Sequence, residues 1–179
     1  MSEKRIKTIY EIATGSSKKR KLYTPLGALL FFSVTALFIV IPLLIERTFH
    51  IPQFLTSPWD IIASIPFIVV GLFYTLWSVI TFFKSKGTPV PFNPPPELVV
   101  KGPYKYSRNP MTAGLFLQML GLGLLLGSIL LTFVFTPLYI LMHYHQLKTL
   151  EEPELEKRLG NAYKEYKSKV PMFFPWKKV

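Results

Sequence analysis

Cysteine is absent from this chain of 179 residues, and histidine occurs only 3 times. The first absence excludes disulfides, thiol nucleophiles, zinc–thiolate sites and a C-terminal prenylation box. His143 and His145 lie on different faces of any helix, and no His-x-x-x-His pair occurs, so no metal site is expected. There is no Walker loop, no Gly-x-Ser-x-Gly and no dinucleotide fingerprint following a strand. Charge is scarce as well. Charged residues make up 17% and hydrophobic ones 50%, with a mean hydropathy of +0.32. Soluble domains carry about a quarter charged residues, so this composition points to a bilayer.

The charge that is present is basic and confined to blocks. Lys and Arg total 21 against 10 acidic residues, a net charge of +11. They occupy residues 4–21, 84–108 and 148–178, leaving Arg47 as the one exception. The gaps between these blocks are apolar runs. If the runs cross a membrane in pairs, nearly every basic residue falls on one side, which is the positive-inside pattern of a cytoplasmic face. A basic nucleic-acid module would mix its charges with a soluble core instead, so nucleic acid is not an expected partner. Nothing in the sequence calls for an obligatory protein partner.

The runs predict an all-α integral membrane protein of about four transmembrane helices with both termini cytoplasmic. Residues 1–25 read as a basic cytoplasmic tail without a clear period. Residues 26–83 hold the first two spans, Leu26–Ile45 and Ile61–Phe83, each long enough to cross. Residues 84–110 form a cytoplasmic loop whose five prolines between 89 and 96 forbid helix and central strand; a polyproline-like course is expected. Residues 111–147 make an apolar hairpin, Met111–Leu126 and Ser128–Leu147, turning at Gly127-Ser128. Its first limb rises only about 24 Å. Gly114, Gly121, Gly123 and Gly127 allow close helix approach there. In residues 148–179, Leu155, Leu159, Ala162, Tyr163, Tyr166 and Val170 recur at helical spacing, predicting one amphipathic helix of about four turns ended by Pro171.

Two polar clusters flank the hairpin. The first is Gly102-Pro103-Tyr104-x-x-x-Arg108-Asn109-Pro110-Met111, in which Pro110 can open a helix. Arg108 offers a planar fork suited to a carboxylate or phosphate. The second is Glu151-Glu152-Pro153. Proline there should free a carbonyl, push Glu152 off helical angles and kink the chain. Two carboxylates at a helix C-terminus oppose its dipole, so a cationic ligand or Arg108 should compensate them. His145 falls at helical spacing from Thr149 and Glu152. Both clusters sit on the same side of the bilayer, a geometry suited to a polar cofactor.

The ordered set Leu98-Val99-Val100-Lys101-Gly102-Pro103-Tyr104-Lys105-Tyr106-Ser107-Arg108-Asn109-Pro110-Met111, the hairpin, Glu151-Glu152-Pro153-x-Leu155 and Gly160-x-x-Tyr163-x-x-Tyr166-x-x-x-Val170-Pro171 resembles the isoprenylcysteine carboxyl methyltransferase and phospholipid methyltransferase superfamily. The resemblance implies a membrane-embedded methyltransferase using S-adenosyl-L-methionine, with the cofactor at the cytoplasmic mouth of the last two spans under the C-terminal segment. It implies cofactor contacts from Leu98, Val99, Tyr104, Asn109, Pro110, Met111, Glu151 and Glu152, with Gly102 and Arg108 shaping the same loop. Arg108 and Glu152 are the candidate catalytic residues, with His145 beside Glu152 as a proton acceptor for an amine. The acceptor would be lipidic or hydrophobic, a phospholipid amine or an isoprenylcysteine-like carboxylate. Three positions depart from the isoprenylcysteine branch: Asn109 stands for its His, Thr112 for its Tyr, and Leu147 for the Arg that holds its substrate carboxylate. Two alternatives share part of the pattern: an NADPH-dependent membrane sterol-type reductase and a non-catalytic membrane protein retaining the fold.

Overall fold

The structure is a computed structural model that describes residues 2–88, 92–95 and 97–174. Its elements are α1 (Ser2–Ala13), α2 (Ser17–Thr48), α3 (Trp59–Lys84), a 3-10 turn (Gly102–Lys105), α4 (Pro110–Leu125), α5 (Thr136–Gln146), α6 (Glu152–Leu159) and α7 (Asn161–Lys169). Two π-turns, Leu131–Phe135 and Leu147–Glu151, sit on either side of α5, so the chain is helical without a break from 129 to 159. The described residues are all helix, turn or irregular chain.

Two helices, α2 and α3, are long and apolar enough to cross a membrane, with only 6% and 11% of their apolar windows buried. A soluble core helix of this composition would be mostly buried. Here Leu29, Leu30, Phe32 and Leu37 of α2 and Ile62, Ile65, Val69, Phe73 and Leu76 of α3 are all exposed, as lipid-facing side chains are. The 32 residues of α2 span about 48 Å, well beyond a hydrocarbon core of about 30 Å. The run Leu26–Ile45 therefore lies inside a longer helix whose first turns project from the apolar band.

Helix α4 packs chiefly along α3. A Cβ on Gly114 would lie 2.6 Å from the Gly71 carbonyl oxygen and 2.5 Å from Thr75 Oγ1, so the two backbones approach as only glycine permits. The core is the cluster of Phe116, Met119, Leu131 and Tyr139, against which Phe38 and Ile39 of α2 pack. Tyr139 shares a 2.8 Å hydrogen bond with Thr35. At the hairpin tip the Glu46 carboxylate accepts from the Leu130 amide at 2.7 Å, and the Gln53 amide donates to the Leu126 carbonyl. The end of α2 and the α2–α3 loop thus supply the caps that a buried helix start and end require.

Three sequence expectations are corrected. The tail 1–25 is helical throughout most of its length, because Ile6, Ile9, Tyr10 and Ala13 recur at helical spacing; Ile12 and Ala13 are buried. Lys157 lies 4.7 Å over the Tyr10 ring, fixing α1 beside α6. The amphipathic C-terminal helix is two helices, broken at Gly160 with φ 60° and ψ −135°. Its apolar positions still gather as expected, with Tyr163, Tyr166 and Val170 buried against Leu155 and Leu159. Glu152 keeps helical angles, φ −60° and ψ −44°. The helix continues through Pro153, which the Leu147–Glu151 π-turn precedes. A wider turn moves the facing carbonyl away from the pyrrolidine ring. The polyproline expectation concerns 89–96, of which only 92–95 are described; there Asn93 accepts from the Thr88 amide at 2.9 Å.

Candidate active site

The loop 98–109 is pinned from three sides. Gly102 has φ +57°, and a Cβ on it would lie 2.9 Å from Thr81 Oγ1 and 3.0 Å from the Trp77 indole nitrogen of α3. The following 3-10 turn buries Pro103 and Tyr104. The Tyr104 ring packs on Phe82 at 4.9 Å, and its carbonyl accepts from the Tyr166 hydroxyl at 2.7 Å. Burial pushes both phenols well above the usual tyrosine range, so they act here as neutral hydrogen-bonding groups. Leu98 rests on the Tyr163, Tyr166 and Val170 cluster.

The C-terminal strap closes the third side. The Arg108 and Asn109 amides donate to the carbonyls of Pro171 and Met172 at 2.9 and 3.0 Å. The Ser107 hydroxyl and the Asn109 side-chain amide, both at 3.2 Å, also donate to the Met172 carbonyl. Phe173 then packs edge-on against Phe116 of the core at 5.1 Å. Asn109 precedes Pro110, the first residue of α4, without capping it by its side chain; that amide is spent on the strap.

Arg108 and Glu152, forty-four residues apart, form an ion pair with side chains 10% and 3% exposed. The second Glu152 oxygen is held by Lys167 at 2.7 Å. Tyr163 is buried beside the pair. Burial, then the Glu152 charge, pushes its phenol up to about 12. The carboxylate is thus matched by two cations, which offsets the large cost of removing such charges from water. The guanidinium Nε remains buried with no hydrogen-bond partner among the described residues.

Glu151 is placed differently. It closes the π-turn, and its carboxylate accepts from the Gln146 amide at 3.3 Å. Burial, reinforced by the Glu154 charge, raises its carboxyl from 4.5 to about 7. Glu154 itself pairs with Arg158 at 2.9 Å. Unlike Glu152, Glu151 has no cation bonded to it among the described residues.

Of the residues singled out in the sequence, Tyr104, Arg108, Asn109 and Glu152 are brought together through Tyr163, Tyr166 and the strap. Gly102 and Pro110 set the course of the loop between them. Val99 and Met111 are half-buried and make no polar side-chain contact. His145 is exposed, and its backbone carbonyl accepts from the Thr149 hydroxyl at 2.7 Å. His143 is buried in a ring of Phe31, Phe116 and Tyr139. Leu147 is buried, and Lys148 turns to the Tyr144 hydroxyl at 3.0 Å. Two partners were missed by sequence reasoning. Lys167 carries no local signal that it would reach Glu152. Gln146 reaches Glu151 across five residues, a spacing that only the π-turn next to Pro153 brings round. Two cavities of about 380 Å³ each open on the basic side, and neither is lined by these residues.

Residues 59–162 match the model of the family described as Phospholipid methyltransferase. A stretch of 78 residues, 44% of this chain, is 37% identical to the Protein-S-isoprenylcysteine O-methyltransferase of Schizosaccharomyces pombe and spans 33% of that protein's length. No solved structure matches.

Proposed function

Because the chain belongs to the phospholipid methyltransferase family, we propose that it is a membrane methyltransferase that takes its methyl group from S-adenosylmethionine and passes it to a lipid-borne acceptor. The observation that carries this reading is the buried Arg108–Glu152 pair. It joins the two polar clusters that flank an apolar hairpin into one site at the basic end of the helices. Family membership favours methyl transfer over the reductase alternative. Four crossings, α2, α3, α4 and the helix from 129, with both termini on the cytoplasmic side, fit the charge distribution.

The residues suit the cofactor. Arg108 Nε is a buried donor without a partner among the described residues, matched to a carboxylate such as the cofactor's amino-acid end carries. Glu151 is a carboxylate without a bonded cation among the described residues, matched to amino or hydroxyl groups. Tyr104 and the Asn109-Pro110-Met111 loop wall the same mouth, beneath the 171–173 strap. When bound, S-adenosylmethionine supplies a methyl on a sulfonium, whose thioether leaves without acid assistance.

The protein's task is then alignment of donor and acceptor, which can supply much of the rate. Glu152 has both oxygens engaged by cations, so its role is to hold the loop and α7 against the helix end rather than to move a proton. The acceptor enters laterally from the bilayer. A lipid amine fits this site better than a prenylcysteine carboxylate, because Leu147 is buried and Lys148 points to Tyr144, so neither forms a cationic clamp there. Equilibrium binding of labelled S-adenosylmethionine to detergent-solubilised protein tests the reading. Saturable binding that is lost in Glu151→Ala supports it; NADPH binding without it overturns it.

A further inference from the structure

A cavity of about 380 Å³ on the basic side lies between the end of α1, the start of α2, the end of α3 and α6, with Thr14, Arg20, Lys86, Pro95 and Arg158 on its wall. A second cavity of about 380 Å³ shares Arg20 and adds Lys21 and Ser17. Ser17 is the first residue of α2, where the free amides of a long helix present positive charge. Arg158 is already matched by Glu154. Arg20 and Lys86 form no ion pair among the described residues, and Arg20 Nε is buried without a hydrogen-bond partner. Counting Glu154, the wall of the first cavity carries two uncompensated positive charges.

Lys86 is there at a conformational cost. The Lys86 amide donates to the Phe83 carbonyl at 3.1 Å and the Gly87 amide to the Phe82 carbonyl at 3.2 Å. This is the paired ending of a helix whose left-handed position glycine normally fills. Lys86 occupies that position with φ 59°, and the glycine comes one residue later. There it lets Pro95 close in, for a Cβ on Gly87 would lie 2.4 Å from the Pro95 nitrogen. A lysine where glycine would be less strained is explained if its charge is needed in the cavity. The cavity also stands where the lipid-facing band begins, since Leu22 and Leu26 of α2 are 68% and 58% exposed.

We infer that this cavity binds a phosphate group, held by Arg20 and Lys86 and presented by an acidic phospholipid headgroup at the membrane surface. The inference is independent of which acceptor is methylated. It adds to the site around Arg108 a second, purely binding function, one that would seat the N-terminal helices and α6 on anionic lipid.

The test is equilibrium binding of fluorescent phosphatidylglycerol to the full-length protein in neutral detergent, with phosphatidylcholine as comparison and inorganic phosphate titrated separately. It is read in 0.5 M salt, where the screening length is about 4 Å and diffuse surface attraction fades. Saturable phosphatidylglycerol binding is expected, weakened about tenfold in Arg20→Gln and in Lys86→Asn, as loss of a charge-assisted contact implies. Asn tolerates the left-handed position, so Lys86→Asn should leave the melting temperature unchanged, while Lys86→Gly should raise it and still lose the lipid. The exposed pair Lys18→Gln/Lys19→Gln should change affinity less than about twofold under this screening. Binding of inorganic phosphate but not lipid, with the same Arg20 dependence, would support the phosphate site and assign it to a free anion. Equal weakening by the Lys18/Lys19 control, or no saturable binding of either probe, overturns the inference.

Discussion

The Glu151 carboxyl should make cofactor binding depend on pH in a defined direction. Burial and the Glu154 charge raise it from 4.5 to about 7, so it is mostly protonated at pH 6 and mostly ionised at pH 8. If the ionised form holds amino or hydroxyl groups of S-adenosylmethionine, the dissociation constant scales with one plus the ratio of protonated to ionised carboxyl. That is about an elevenfold penalty at pH 6 and little at pH 8, so affinity should improve about tenfold between them and then level off. Binding should release close to one proton at pH 6, measurable by calorimetry in two buffers of different ionisation enthalpy. Glu151→Gln should flatten the profile. Glu154→Gln, which removes the second cause of the shift, should move the midpoint to lower pH. Stability carries the opposite sign. An acid whose folded-state value is raised favours the fold most at low pH, so this group's contribution should fall by about 2 kcal/mol as pH rises from 4.5 to 7 and be flat above, after discounting for its partial exposure. A pH-independent dissociation constant in the wild type, or an unchanged profile in Glu151→Gln, would refute the reasoning.

Three further outcomes follow from the packing of the site. Arg108→Gln and Glu152→Gln should each cost about 2–4 kcal/mol, since each leaves a buried charge less well matched. Their double mutant should cost less than the sum, a coupling read from melting temperatures in detergent; strict additivity would contradict the ion pair. Gly102→Ala should destabilise by about 1–3 kcal/mol, because alanine must adopt φ +57° and meet Thr81 and Trp77; a neutral result would mean the loop runs elsewhere. Tyr166→Phe should cost about 1–2 kcal/mol through the lost bond to the Tyr104 carbonyl, and hydrogen exchange of the 104–109 amides should quicken. Unchanged exchange would show that the tyrosine does not hold the loop.

The sequence was most legible where one physical rule acts alone. Uncharged runs marked the helices of the hairpin and the second span, and Tyr163, Tyr166 and Val170 were placed on one buried face by spacing. Arg108 and Glu151-Glu152 were legible as one constellation because the basic blocks put both clusters at the same end. What was not legible depended on competing local effects. Pro153 signalled a Glu152 pushed off helical angles, but a π-turn absorbs the ring and keeps Glu152 helical, and with it the direction in which Glu152 points. Gly160 breaks the amphipathic helix even though its apolar period continues through it. The α1 period was masked by the density of lysines around Ile6, Tyr10 and Ala13. Lys167 reaches Glu152 only because α7 folds back on the loop, which no spacing announces. The two acidic neighbours consequently do different work: among the described residues Glu152 is bound by two cations and Glu151 by none.

The most direct test of methyl transfer is to incubate the purified full-length protein with methyl-labelled S-adenosylmethionine and a phospholipid extract at pH 8, then follow the label into separated lipids. The account predicts label in an amine-headgroup lipid, abolished in Glu151→Gln. It is contradicted by a protein that binds no S-adenosylmethionine and labels no lipid.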